Sequence, residues 1–247
     1  MEKSFNQRGH VTKFYTSFYH GNHDDTTHTT DDVLHTVSKT LDSIDEPWLF
    51  IGHVNFINFT RYGMKELPLY VNLVREPVSC FVSLYYFLRF KHPRPMSDER
   101  RNMTFDECVL SRDPECTALR NITRFVPFFC GHDDYCLDNP SLGLSVAKRN
   151  IEQHYSVIGY LESVGEFYEA LEFMMPHYFQ GIHARYRRQG ADRERISQGK
   201  KKVDPSPEAV EEFQRSIQHE LDLYYFIKQR FDCLMRRIRE IQSENKS

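Results

Sequence analysis

The sequence predicts a single α/β domain in which helices flank a parallel sheet. Two mostly apolar runs, Trp48 to Ile51 and Leu67 to Val74, are short and unbroken, as is typical of strands covered on both faces. The second run continues through Arg75 and Glu76 into Pro77, and proline suits the first position of a helix. The chain has 247 residues, 40% of them hydrophobic, which is enough for one domain with a full core.

The other elements follow from hydrophobic spacing and from helix caps. Residues from Val11 to Tyr19 alternate well enough for a strand. Thr30 can cap a helix through Ile44, because aspartates occupy its first turn and apolar residues share one face. The remaining predicted elements are a helix from Pro77 to Phe90, a loop from Lys91 to Met103, a helix from Thr104 to Leu110, a helix from Ser141 to Tyr155, a strand from Ser156 to Gly159, a helix from Val164 to Met175 and a basic loop from His183 to Asp204.

A long helix is predicted near the carboxyl end of the chain. Ser206 and Pro207 provide its cap and first position, and apolar residues then recur at a spacing near 3.5 up to Ile241. The simplest interpretation is a helix that packs on the core and closes the fold. Its exposed end, Leu234 to Ile241, could instead contact another copy of the chain and so form a homo-oligomer.

Polar residues stand where the two buried strands end. His53 follows the first strand, and Arg75 follows the second. In open α/β sheets ligands bind at this edge, and a helix N-terminus facing it offers free N–H groups to an anion. Ser79 and Ser83 are four residues apart, so one helical face can present both hydroxyls near Arg75. On spacing alone, a structural histidine, a surface arginine and serines bonded to their own helix are the simpler interpretations.

Four segments of the chain carry motifs of one enzyme family. They read EPWLFIGHVNFINFTRYG, YVNLVREPVSCFVSLYYFLRF, FVPFFCGH and VDPSPEAV, within a similarity that extends from about Val33 to Phe231. By these motifs the chain resembles the 2-O-sulfotransferases of glycosaminoglycan uronic acids, nearest to the uronyl 2-sulfotransferase branch. Ile51 stands where the heparan-type branch has a further histidine, which argues against a heparan-type enzyme.

The resemblance implies a sulfotransferase-type, P-loop-like parallel sheet, with 3′-phosphoadenosine 5′-phosphosulfate as the sulfate donor and no metal. His53, in the GHV motif, would be the base that takes the proton from the uronic acid 2-hydroxyl, a task that suits a neutral imidazole. Arg75 and Ser83, the two ends of the R-[DE]-P-x5-S pattern, would hold the 3′-phosphate of the donor.

The implied acceptor is a sulfated glycosaminoglycan, a polyanion, and no nucleic acid is expected as a partner. Although the formal net charge is −3, basic residues cluster from Arg94 to Arg101, from Arg185 to Arg195 and from Lys200 to Lys202. Local patches of this kind steer polyanions, although each is equally consistent with a solvated loop. The family's contacts with the acceptor carboxylate and with sulfated sugar or donor match Arg100, Arg101, Tyr186 and Arg187.

Close cysteine pairs in loop-like sequence suggest two local disulfides. The resemblance supports the pairings Cys108–Cys116 and Cys130–Cys136. A zinc site with His132 beside Cys130 and Cys136 is the alternative, but the spacing matches a four-ligand site poorly.

Three glycosylation sequons begin at Asn58, Asn102 and Asn121, and they matter only in a secretory compartment. Asn58 follows the proposed site so closely that we expect it to be buried. The resemblance implies a Golgi-lumen protein with a type II membrane anchor, whereas this sequence shows no signal peptide and no apolar run long enough to span a membrane.

Members of the family normally bind the 5′-phosphosulfate with a loop of the form P-K-T-x-S-T after their first strand. This sequence has no segment of that form. We therefore expect the anchor, the first strand and the donor loop to be missing from this chain, which would then be a truncated sulfotransferase domain. A non-catalytic glycosaminoglycan-binding protein of the same fold is the alternative.

Overall fold

The computed structural model describes residues 14–17, 30–44, 49–52, 54–90, 96–116, 125–188 and 202–245. Within them lies a four-stranded sheet of order β2-β1-β3-β4, in which all neighbouring strands run parallel. The strands are β1 Phe14–Ser17, β2 Leu49–Gly52, β3 Leu69–Val74 and β4 Tyr155–Tyr160. Because the strands are parallel, their carboxyl ends share one edge of the sheet. The predicted α/β class is confirmed.

The helices of the described residues cover the sheet and extend beyond it. They are α1 Asp31–Asp42, α2 Pro77–Phe90, α3 Asp98–Asn102, α4 Phe105–Leu110, α5 Phe125–Cys130, α6 Tyr135–Asp138, α7 Pro140–His154, α8 Val164–Met174, α9 Pro176–Phe179, α10 Pro207–Ser216 and α11 Gln218–Glu244. Residues 114–116 and 182–188 are also helical. The predicted helices over 77–90 and 104–110 and the predicted strand over 156–159 are confirmed to within one residue at each end.

Three predictions about secondary structure are wrong. The single carboxyl-terminal helix is divided at Ile217, whose backbone leaves the helical region at φ −125° and ψ 32°. The division lets α10 pack against α2 and α4, while α11 packs against β4, α7 and α8. The predicted loop over 91–103 contains α3, which the Ser97 hydroxyl caps by accepting a bond from the Arg100 N–H at 3.3 Å. The predicted basic loop begins with the helical residues 182–188.

Two hydrophobic clusters hold the sheet edge in place. The larger cluster joins β3 and β4 to α5, α7, α8 and α11, with Tyr70, Val157 and Phe231 among its buried side chains. The smaller one joins α2 to α4 and α10 around Phe81, Phe105 and Phe213. Helix α2 begins at the sheet edge, and its apolar side chains pack into the smaller cluster. Their burial fixes the helix, and with it the first turn at the edge.

Gly159, in β4, gives a test of the packing between the sheet and α8. A Cβ placed there would come within 2.5 Å of the Phe167 ring, closer than carbon atoms can pack. We expect Gly159→Ala to lower the free energy of unfolding by about 1–3 kcal/mol, measured by urea denaturation. Gly165→Ala is the control: in α8 a Cβ meets only Tyr186 at 3.6 Å, so it should be neutral or stabilising. Equal stability of the two variants would contradict this account.

The structure contains both of the disulfides. Cys108–Cys116 joins α4 to the helical residues 114–116, and Cys130–Cys136 joins α5 to α6, with Cα–Cα distances of 6.0 and 5.7 Å. With Cys130 and Cys136 bonded to each other, the zinc alternative is not the arrangement found. We expect peptide mapping without reductant to recover both pairs linked, whereas free thiols at these four positions would contradict the pairing. Cys80 and Cys233 are the free cysteines among the described residues.

Candidate active site

The carboxyl edge of β3 and β4 carries the predicted donor residues. Val74 pairs with Tyr160, so Arg75 lies beside the turn that begins at Leu161. The predicted base, His53, follows β2 in sequence but lies outside the described residues. The structure therefore places Arg75, which is proposed to bind the sulfate donor, at the expected edge, and the base lies outside the described residues.

The N-terminus of α2 is closed by a side chain of its own segment. The Glu76 carboxylate accepts bonds from the N–H groups of Val78 at 3.0 Å and of Ser79 at 2.6 Å. A carboxylate is favourable there because it meets both the unpaired N–H groups and the positive end of the helix dipole. The expectation that these N–H groups are available to an anion is wrong. At the start of α2, an anion would therefore be bound by side chains and not by these two N–H groups.

Arg75 precedes α2, Ser79 lies in its first turn and Ser83 one turn further on, and all three residues are half-buried. The positive charge of Arg75 reaches this helix. Burial raises the pKa of the Cys80 thiol to about 11, and Arg75 is the cation that opposes this shift. A guanidinium and two hydroxyls can bind a phosphate group by charge-assisted hydrogen bonds.

A chain of hydrogen bonds ties this edge to α11. The Glu76 N–H donates to the Glu162 carboxylate at 3.1 Å, and the Tyr224 hydroxyl donates to the other oxygen of Glu162 at 3.2 Å. Glu162 is separated from Glu76 by 86 residues in sequence. The residue that follows Arg75 is thus held by the turn after β4 and by the carboxyl-terminal helix.

Arg100, a predicted acceptor contact, is engaged with the loop that Cys108–Cys116 closes. Its guanidinium donates to both carboxylate oxygens of Asp113 at 3.3 Å and to Glu115 at 3.1 Å. These bonds raise the pKa of Arg100, and the bond to Asp113 makes the largest contribution. A carboxylate of the acceptor sugar would have to compete with Asp113 and Glu115 for Arg100. The neighbouring Arg101, also on α3, is half-buried.

Arg89 was not predicted, yet it is fully buried at 0% exposure. It donates to Glu115 at 2.7 Å and to the carbonyl oxygens of Arg100 and Tyr85, and its guanidinium lies 3.5 Å from the centre of the Tyr85 ring. The pair of Arg89 and Glu115 fixes α3 and the disulfide loop to α2. The sequence signal for this buried contact was an arginine four residues after a tyrosine in an apolar helix, because such residues share one helical face.

Tyr186 and Arg187 lie in the helical residues 182–188. The Tyr186 ring lies 4.9 Å from the Tyr168 ring, which attaches this segment to α8, and Arg187 is exposed. The predicted burial of Asn58 is wrong, because Asn58 is exposed and its side chain accepts from the Thr60 N–H at 3.2 Å. Asn102 is also exposed, and Asn121 lies outside the described residues.

The described residues contain neither a group of metal ligands nor a membrane-spanning helix. No three or more His, Cys, Asp or Glu side chains in that part of the chain are grouped so as to bind a metal ion. No helix there combines the length and the apolar character that a membrane span requires.

Similarity to known proteins covers most of the chain, although no protein-family model matches it. It is 33% identical over 214 residues to the human uronyl 2-sulfotransferase, covering 81% of this chain and 51% of that protein. It is 34% identical over 208 residues to a heparin sulfate O-sulfotransferase of Drosophila melanogaster, covering 81% of this chain and 58% of that protein. For heparan sulfate 2-O-sulfotransferase 1 of Xenopus laevis the identity is 34% over 193 residues, 75% of this chain and 53% of that protein.

The chain spans about half the length of these curated relatives. The matched region nevertheless takes up three quarters or more of the chain itself. By this similarity the chain is a homologue of the uronyl and heparan sulfate 2-O-sulfotransferases.

Proposed function

We propose that the protein is a sulfotransferase that moves sulfate from 3′-phosphoadenosine 5′-phosphosulfate to the 2-hydroxyl of a uronic acid, iduronate or glucuronate, in chondroitin or dermatan sulfate. The observation that carries the proposal is the similarity, over 81% of the chain, to a protein named for uronyl 2-sulfation. The position of Arg75 at the carboxyl edge of a parallel sheet, before a helix that presents Ser79 and Ser83, supports it. The proposal includes a sulfotransferase-type, P-loop-like fold for this sheet.

The donor residues fit a nucleotide phosphate. Arg75 and Ser83 would bind the 3′-phosphate with side-chain donors, since Glu76 already occupies the N–H groups of α2. The donor, when bound, supplies the sulfuryl group. Glu162 and Tyr224 hold the residue next to Arg75, so the guanidinium is presented from a fixed backbone.

Proton transfer is assigned to His53. Its imidazole would accept the proton of the 2-hydroxyl as the sugar oxygen bonds to sulfur and the sulfur–oxygen bond to the leaving phosphate breaks. The negative charge then resides on 3′,5′-bisphosphoadenosine. Arg101, with Arg100 if it releases Asp113, would hold the uronate carboxylate, and Tyr186 and Arg187 would contact sulfated sugar or donor.

The choice of a chondroitin or dermatan acceptor rests on Ile51. The identities of 33% and 34% to the uronyl and heparan-type relatives do not separate the two branches. Ile51 replaces the additional histidine of the heparan-type motif, which favours the uronyl branch. A heparan sulfate 2-O-sulfotransferase is the alternative within this chemistry. Two disulfides and two exposed sequons suit the Golgi lumen, where we place the protein, anchored in full-length form as a type II membrane protein.

A second candidate is a non-catalytic protein of this fold that binds glycosaminoglycan. It is favoured by one observation, that no segment of this sequence has the form P-K-T-x-S-T. Arginines on α3 and residues 182–188 would then bind the polysaccharide without any transfer.

The test is transfer of radiolabelled sulfate to desulfated dermatan, chondroitin and heparan. Met1–Ser247 and a protein extended by the upstream sequence of its gene are assayed together. We expect the extended protein to label dermatan or chondroitin and Met1–Ser247 to be close to inactive. Labelling of heparan alone would select the heparan-type alternative. Polysaccharide binding without transfer by either protein would select the non-catalytic candidate.

A further inference from the structure

The segment directly after His53 is held by a loop more than seventy residues away. The Phe56 N–H donates to the Phe128 carbonyl at 2.8 Å, and the Asn55 side-chain amide donates to the Gly131 carbonyl at 3.1 Å. His132 closes the contact, because its Nε2 lies 3.2 Å from the Asn55 carbonyl oxygen. A carbonyl only accepts, so His132 must carry its proton on Nε2 to make this bond. Three hydrogen bonds thus join residues 55–56 to residues 128–132.

The loop that makes these bonds is rigid. The Cys130–Cys136 disulfide closes it, and the buried Asn150 amide of α7 donates to the carbonyl oxygens of Phe129 at 3.0 Å and Cys130 at 2.8 Å. Gly131 has φ +125°, and a Cβ there would lie 3.3 Å from the Phe56 carbonyl oxygen, so only glycine fits without strain.

Residues 54–58 belong to no helix or strand. This segment lacks the backbone hydrogen bonds of a helix or strand, so the backbone at Asn55 depends more strongly on the bonds to residues 128–132. Asn55 is 5% exposed, and as a buried polar residue it is held by hydrogen bonds, whereas Phe56 and Ile57, with 3% and 1% of their surface exposed, are held by apolar packing. Loss of the His132 bond should consequently loosen the backbone at Asn55 while the core and the fold remain.

We propose that His132 and Asn55 are positioning residues for the base at position 53. They fix the backbone two residues after His53, and a displacement of about 1 Å at a reacting group can cost about 10²-fold in rate. The inference rests on the proposed function. It gives the FVPFFCGH motif a second role: besides supplying Cys130 to the disulfide, the motif supplies His132, which helps to position the base.

The test compares His132→Leu, which removes the donor, with His132→Gln, whose amide N–H can reach the same carbonyl. In the full-length protein we expect His132→Leu to lower kcat about 10- to 100-fold. The KM for desulfated dermatan, the Kd for 3′,5′-bisphosphoadenosine and the Tm should stay close to wild type. His132→Gln should recover most of kcat. Asn55→Asp, which loses the donor to Gly131, should repeat the loss of kcat.

Arg61→Ala is the matched control. Arg61 also bonds to this loop, through the Asp133 carboxylate at 3.0 Å. Both side chains of this pair are exposed, and Arg61 lies outside the segment 54–58 that follows His53. It should leave kcat unchanged. An unchanged kcat in His132→Leu, or failure of His132→Gln to recover it, would overturn the inference, as would a fall in Tm that accounts for the loss. Absence of transfer by the wild-type protein would overturn the proposed function itself, and the inference with it.

Discussion

Replacing His53 with alanine is expected to lower sulfate transfer by about 10²- to 10⁴-fold, in practice to the limit of detection. A positioned general base contributes about this much, and alanine can accept no proton. The affinity for 3′,5′-bisphosphoadenosine should remain nearly intact, because the base contacts the acceptor and not the nucleotide. Transfer would be measured with labelled donor, and nucleotide affinity by calorimetry on the same full-length protein.

His177→Ala is the control for loss of a histidine. His177 is exposed on α9, and its ring packs on Tyr178, so its removal should change neither quantity. Substantial turnover remaining in His53→Ala would show that another residue is the base. Loss of nucleotide affinity together with turnover would show that His53 serves the donor.

Replacing Arg75 with alanine is expected to weaken 3′,5′-bisphosphoadenosine binding by about 2–3 kcal/mol, or about 30- to 150-fold in Kd. The arginine is half-buried at the sheet edge, so its bond to phosphate would be partly shielded from water. Helix N–H groups cannot replace it, because Glu76 holds those of Val78 and Ser79. Titration calorimetry of the full-length protein measures the effect directly.

Arg215→Ala on α10 is the control, since Arg215 is exposed and paired with Glu211 and Glu212. It removes the same charge from the protein at an exposed position on α10. An affinity equal to wild type in Arg75→Ala would remove the 3′-phosphate assignment. An equal loss in both variants would point to general electrostatics in place of a specific contact.

Local patterns were sufficient for much of the fold. Pro77 and the apolar run before it located β3 and α2, and Ser206 with Pro207 located the start of α10. Helix α5 was missed because all six of its residues are buried, which leaves no amphipathic period to detect. The division at Ile217 was missed because both halves keep an apolar stripe, and only their different neighbours separate them.

The site was predictable as an edge of the sheet but not in its contacts. Arg75 was placed by the strand that precedes it, which is local information. The occupied N-terminus of α2 depends on Glu76, and the position of Glu76 depends on Glu162, 86 residues away. Arg100 is matched to the acceptor by the family resemblance, and nothing in its sequence neighbourhood reveals that Asp113 and Glu115 face it. Partners of charged side chains are set by tertiary structure, which spacing does not report.

The cysteines bear on how the chain acquires its covalent structure. Each disulfide joins residues only eight or six apart in sequence, so each can close before the distant strands have met. With a pKa of about 11, the Cys80 thiol is almost entirely protonated at neutral pH. Since the thiolate is the attacking species in disulfide exchange, Cys80 is a slow competitor for these bonds once α2 has folded. The short loops thus favour correct pairing early in oxidative folding, and the burial of Cys80 removes one of the two free cysteines as a competitor later.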